Sequence, residues 1–310
     1  YYICKKISAV QAPLKRRSSI VMRLRILFIL ILALAVTAVS CSLKNEEKKI
    51  VTVTIQPQKY FAEKIAGDRF EINCIVPVGS NPEAYDPSPS HLVHLGKSVA
   101  YFKIGYIGFE LAWMDKLIQN NPNMKIYDNS KGISYLEGTH MHADTPNDMH
   151  DDIDPHIWSS PKMAYKIAEN MYEAFVELDP AHKKEYTRNY ENLVSEISKV
   201  ESEITARLLP VQGTMFAIYH PSLSYLAADY KLQQLSIETN GKEPSALYMK
   251  KAIDIARKNN VKVIFIQKEF DMKQAKTFAS EIGAKIVVID PLNYHWGEEL
   301  IHIADALGKE

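Results

Sequence analysis

Cysteine is nearly missing from this sequence. Three occur in 310 residues, at Cys4, Cys41 and Cys74, too few and too scattered for a disulfide framework or a thiolate zinc cluster. Glycine is scarce too, at 12, and there is neither a dinucleotide-binding glycine fingerprint nor a phosphate loop. Charge of one sign is also lacking. Lys+Arg and Asp+Glu are both 37, so no field marks the chain as a nucleic-acid binder, and no nucleic-acid partner is expected. No internal repeat is found. What remains is ordinary globular composition, 46% hydrophobic and 24% charged, in a length that suits two domains or one large one.

Long hydrophobic runs are limited to one place. Met22 reads as the natural start, with residues 1–21 as an upstream extension. Arg23 and Arg25 then form a basic region, and Ile26 to Val39 is an apolar or small run of 14 residues that leads into Ser40 and Cys41. A bilayer-spanning helix needs about 20 apolar residues, so the run fits the core of an export signal better than a permanent span. Small residues ending in cysteine resemble a bacterial lipoprotein signal, in which Cys41 becomes the acylated first residue of the mature chain. The match departs at Ala38, where a larger aliphatic residue is commoner. Residues 42–49 read as a polar leash, and the expected location is the outer side of a bacterial membrane, held by a lipid anchor.

From Ile50 onward, short aliphatic runs alternate with amphipathic stretches. IVTVTI (50–55), FEINCIV (70–76), VAYFKI (99–104) and MKIYD (124–128) form one set of strand candidates; TMFAIYH (214–220), LQQLSIE (232–238), VKVIFIQ (261–267) and AKIVVID (284–290) form a second. Helical stretches lie between them, including YFAEKIAG, IGFELAWMDKLIQN, 247–259 and 271–282. This is the α/β signature of mainly parallel sheets flanked by helices. The sets divide the chain into an N-terminal lobe, 50–180, and a C-terminal lobe, 211–310. Residues 181–210, closed by Pro210 and Gly213, predict one long polar helix joining them.

Ligands of open α/β sheets bind beyond the carboxyl ends of the strands. Four segments place metal-type side chains there. Glu83 and Asp86 lie in a turn-rich loop after 70–76, and His156 lies in DIDPHIWSSP. His220 ends 214–220, and Asp290 ends 284–290. Each alone has a plainer reading, as a satisfied histidine, a turn carboxylate or a solvated loop residue. Together, two from each lobe, they suit a zinc or manganese ion at bond lengths of about 2.0–2.5 Å.

The segments GSNPEAYDPSPS, DPHIWSSP, YHPSLSYLAADY and VVIDPL, with IGFELAWMDKL and the long helix, resemble the cluster A-I substrate-binding proteins of ABC importers for zinc and manganese, the ZnuA/TroA-like family. The resemblance covers residues 50–310, and DPHIW is its most specific element. It implies two βα lobes joined by one helix, with the metal in the interlobe cleft, and a monomer that delivers its ion to an ABC permease and its ATPase. His156 matches the family's DPH histidine, His220 the histidine opening the second lobe, and Asp290 the carboxylate at the last strand.

The departure is Glu83, because the family pattern places histidine there. Either Glu83 replaces that ligand, giving a neutral site of two imidazoles, two carboxylates and a divalent ion, or the position has lost its ligand, so that the site is weakened or its geometry shifts to Asp86 or a nearby histidine. Carboxylates favour manganese; the loop EGTHMHADTPNDMHDDID, with His140, His142 and His150 among six acidic residues, resembles the accessory loop of zinc-specific members, or is a solvated surface loop. Zinc is the expected ion and manganese the alternative. No catalysis is expected. The rivals are an exported metallohydrolase with an open metal position and a metal-stabilised surface adhesin.

Overall fold

In the computed structural model the chain divides into two compact units, Tyr1–Glu47 and Lys48–Glu310. The residues described are 48–136, 153–238, 243–270 and 272–309, together with four helical positions between 22 and 28. Most of the segment read as an export signal, Cys41, and the loop holding His140, His142 and His150 therefore lie outside the described residues. Among the described residues, no helix is long and apolar enough to cross a membrane.

The second unit contains two sheets of the same design. In the first lobe β1 (Lys49–Val53), β2 (Phe70–Cys74), β3 (Ser98–Lys103) and β4 (Lys125–Asp128) pair in the order β2-β1-β3-β4, all parallel. In the second lobe β5 (Met215–Ile218), β6 (Gln233–Ser236), β7 (Val263–Gln267) and β8 (Lys285–Ile289) repeat that order as β6-β5-β7-β8. The eight strands match the eight runs seen in the sequence, with ends that differ by at most two residues. Parallel sheets are covered on both faces, which is why their inner strands read as unbroken apolar runs; all five residues of β7 are buried.

Helices α1 (Gln56–Ala66), α2 (Pro89–Leu95) and α3 (Gly108–Asn120) follow the first three strands. A second group comprises α4 (Pro161–Leu178), α5 (Lys183–Leu208), α6 (Ser224–Asp229), α7 (Ala246–Lys258), α8 (Met272–Ile282) and α9 (Trp296–Gly308). The joining helix α5 has 26 residues, about 39 Å at 1.5 Å per residue. Turns of 3-10 helix at Pro180–His182 and Leu209–Val211 bound it. It is less exposed than its charges suggest. Tyr186, Leu193, Ile197, Val200, Ile204 and Leu208 recur at helical spacing and are buried, forming a stripe that packs on α1 and α4 of one lobe and α9 of the other.

One hydrophobic core runs through both lobes, from Phe61 and Phe102 past Ile197 to Phe265 and Ile303. Trp158 lies at the seam. Its indole N–H donates to the Pro291 carbonyl at 2.9 Å, and its own carbonyl accepts from the Trp296 indole at 2.6 Å. Tyr225 of α6 reaches across to the other lobe, accepting from the Leu136 N–H at 3.0 Å and donating to the Asp154 carbonyl at 2.8 Å. These bonds lie inside packed apolar surface, where breaking one strands a buried polar group.

The strand ends of the first lobe converge on a buried carboxylate. Glu110, in the first turn of α3, accepts from the Ile104 N–H at 2.8 Å and the Gly105 N–H at 2.7 Å, and from the Thr54 hydroxyl. Burial pushes its carboxyl up to about 7, against the downward pull of those donors. Between its ordinary value of 4.5 and about 7 the folded chain therefore holds a proton that the unfolded chain has released. Stability should fall as pH rises through that window, because the native state binds the extra proton. Urea unfolding across the window should show this decline, and Glu110→Gln should flatten it. An unchanged slope in the variant would place the effect elsewhere.

Candidate metal centre

His156 and His220 come from different lobes and meet. Their Nε2 atoms are 3.2 Å apart, with ring centroids at 5.0 Å. The opposite nitrogen of each ring is occupied. His156 Nδ1 lies 2.8 Å from Asp154 Oδ1, and His220 Nδ1 lies 2.6 Å from Glu238 Oε1. A carboxylate opposite Nδ1 makes that nitrogen the donor, so both Nε2 atoms turn their lone-pair side toward the same point. Two lone pairs in that position repel unless a proton or a metal ion lies between them. Nitrogens bound tetrahedrally to zinc at about 2.0–2.1 Å stand about 3.3 Å apart, close to the spacing found.

Local sequence explains how each ring is held. Asp154 accepts from both the backbone N–H of His156 and its ring, so the D-x-H spacing closes a small turn on itself. Burial disfavours the His156 imidazolium, but the Asp154 charge and hydrogen bond outweigh it, and the pKa is raised. Asp154 in turn is held below its ordinary value: burial opposes ionisation, and the bonds from His156 and Ser224 prevail. His220 follows β5, and Glu238 follows β6 next to it. The ladder continues past both strands through Ile237 N–H to Ile218 O at 2.9 Å and Glu238 N–H to Tyr219 O at 3.1 Å. Gln267, at the end of β7, donates to the His220 carbonyl at 2.6 Å and accepts from its N–H at 3.3 Å. Phe270 stacks on the imidazole.

Glu83 lines the same cavity. One oxygen accepts from the Gly108 N–H at 2.8 Å, at the start of α3, while Oε1 is buried without a partner. A buried, unpartnered carboxylate oxygen suits a cation. The cavity has room for about 30 Å³, enough for an ion and a water molecule but not for an organic solute. Asp86 is exposed. Asp290 does not line the cavity; its Oδ2 is paired with Lys268 Nζ at 3.0 Å. Glu269 lines the cavity instead. Among the described residues, no three His, Cys, Asp or Glu side chains are grouped closely enough to hold an ion. The two imidazoles already face each other, while Glu83 and Glu269 line the cavity without joining them in a closer group.

Of the residues nominated from the sequence, His156, His220 and Glu83 lie together at this cavity and Asp290 does not line it; Asp154, Glu238, Gln267 and Glu269, which were not nominated, also lie here. Asp154 was legible as the first residue of D-P-H. The other three become visible only when strand order is known.

Two parallel α/β lobes fused along a long helix, with an imidazole from each meeting at their boundary, define a helix-linked solute-binding protein. The family model of ZnuA, the periplasmic component A of the zinc-uptake complex, matches residues 51–302, and the chain belongs to that family. It is 26% identical over 260 residues to the high-affinity zinc uptake system protein ZnuA of Bacillus subtilis, covering 82% of this chain and 81% of that protein. It is 25% identical over 270 residues to the zinc-binding lipoprotein AdcA of Streptococcus pneumoniae, covering 84% of this chain and 53% of that protein, about half of its length. A crystal structure of a ZnuA deletion mutant with zinc bound matches 84% of this chain and 97% of its own, at 35% identity and a TM-score of 0.76.

The loop carrying Glu83 needs glycine at position 108. A Cβ there would lie 2.2 Å from the Glu83 carbonyl oxygen, and the Phe109 N–H bonds to the Pro82 carbonyl at 2.9 Å. Gly108→Ala should push the loop off α3 and cost about 1–3 kcal/mol, as overpacking does. Chemical denaturation measures the loss, and wild-type stability in the variant would show that the loop yields freely.

Proposed function

We propose that this protein captures zinc outside the cytoplasm and delivers it to an ABC permease and its ATPase, with manganese as the alternative ion. The observation that carries this reading is the facing pair of Nε2 atoms, each oriented by its own buried carboxylate, beside an unpartnered Glu83 oxygen. The zinc-uptake names of the relatives support zinc as cargo. His156, His220 and Glu83 are the proposed donors, completed by a carboxylate of the second lobe, for which the sequence nominates Asp290. The loop with His140, His142 and His150 is proposed as an accessory collector, and Cys41 as the lipid-anchored residue; a lipoprotein among the relatives supports the anchor.

Function here is binding, not turnover. The cavity admits an ion without space for a substrate to be cleaved, which favours capture over metallohydrolysis. Because the lobes share one core and a stiff connector, capture operates through side-chain and loop movement: Glu83 leaves the Gly108 N–H and turns toward the imidazoles. A wide hinge closure would have to break the Trp158 seam.

His156→Ala and His220→Ala should each weaken zinc binding by at least about 100-fold, as expected for lost ligands. Calorimetry of the full chain measures it. Wild-type binding of neither zinc nor manganese tighter than micromolar would sink the reading. Affinity should also fall as pH is lowered, because ligand nitrogens must shed their protons. Asp154 holds the proton on His156 to higher pH than usual, so the decline should begin above the ordinary imidazole range. Titrations at a series of pH values would reveal it, and a flat profile down to pH 5 would contradict it.

A further inference from the structure

Besides Glu238, which is spent on the His220 ring, the second lobe offers two carboxylates near the imidazole pair, and they are placed differently. Asp290 follows β8, an outer strand of the order β6-β5-β7-β8. Glu269 follows β7, the immediate neighbour of β5, whose end carries His220. Strands β5 and β7 flank the point where the winding of the sheet reverses, and loops leaving such a point diverge to form the ligand crevice. The sheet therefore delivers Glu269 to the side of His220 and sets Asp290 one strand away.

The lining of the cavity follows that placement. Glu269 lines the cavity with Glu83, His156 and His220, whereas the β8 loop contributes only Pro291 and Leu292. Asp290 is already engaged: Lys268 holds Oδ2 at 3.0 Å, and its backbone N–H donates to Glu299 at 2.8 Å. A tight turn closed by the Phe270 N–H on the Gln267 carbonyl at 3.2 Å presents Glu269. That turn is anchored at both ends, by Gln267 on the His220 backbone and by Phe270 on the His220 ring. Burial and the nearby Asp290 charge push the Glu269 carboxyl up, the penalty that a bound cation would remove.

We infer that Glu269, rather than Asp290, is the second-lobe carboxylate that coordinates the captured ion, while Lys268 engages Asp290 outside the site. The inference rests on the metal-capture reading above. With Glu83 and the two imidazoles it gives a donor set of net charge −2, which neutralises a divalent ion. Both oxygen donors are then glutamates, whose length lets them reach the imidazole pair from loops on opposite lobes.

Zinc titration by calorimetry on the full chain separates the alternatives. Glu269→Gln should weaken zinc binding at least tenfold, and Asp290→Asn should leave it within threefold of wild type. The reverse order, or wild-type affinity in Glu269→Gln, overturns the inference. His156→Ala run alongside keeps the two readings apart: if it weakens zinc binding and Glu269→Gln does not, only the choice of carboxylate fails. If the wild type binds no zinc, the capture reading fails with it. Near-ultraviolet circular dichroism of each variant verifies folding, and the Gln and Asn replacements preserve side-chain size.

Discussion

Everything at the centre of this protein depends on the lobes being unable to part. A single apolar core passes through both, α5 packs along it, and Trp158 is bonded at each end of its residue to the second lobe. That seam brings two imidazole nitrogens from separate sheets to 3.2 Å. Had the lobes been free to hinge, lone-pair repulsion would drive the rings apart whenever no cation or proton lay between them. The close-packed interior holds the pair in place, as dense cores resist gradual deformation.

Electrostatics then divides into rigid and adjustable parts. Asp154 and Glu238 are buried and spent on orienting the rings. Glu83 and Glu269 are half-buried and sit on turns. The division suits the proposed carrier, which must bind firmly and still release: the nitrogen donors would be preset, at the cost of mutual repulsion, and the oxygen donors supplied by loops. Partner carboxylates behind metal-ligating histidines raise ring basicity and fix the tautomer. The raised pKa of His156 is one consequence.

Much of the architecture was readable from one-dimensional pattern. All eight strands were visible as aliphatic-rich runs, most plainly β7, which is buried along its whole length, while outer strands such as β4 and β8 keep exposed positions. The long helix was visible from its length without glycine, but its burial was not. Its inward residues are spread thinly among charges that solvate the outer face, as with Glu185 paired to Arg69 and Glu196 to Lys64. Helices α4 and α9 were likewise passed over, although they pack on α5 and close the core.

For the candidate site, sequence alone pointed to the residue types and to the two imidazoles that the structure brings together. Histidine directly after a strand, and histidine in D-P-H, are local features whose placement follows from the ends of the elements they terminate. Which carboxylates meet those rings was decided by tertiary structure. Strand order puts Glu238 behind His220 and Glu269 beside it, and it draws Asp290 to an outer strand and to Lys268. No linear spacing encodes that choice, because neighbours in a parallel sheet lie tens of residues apart in the chain and are joined only when the sheet forms.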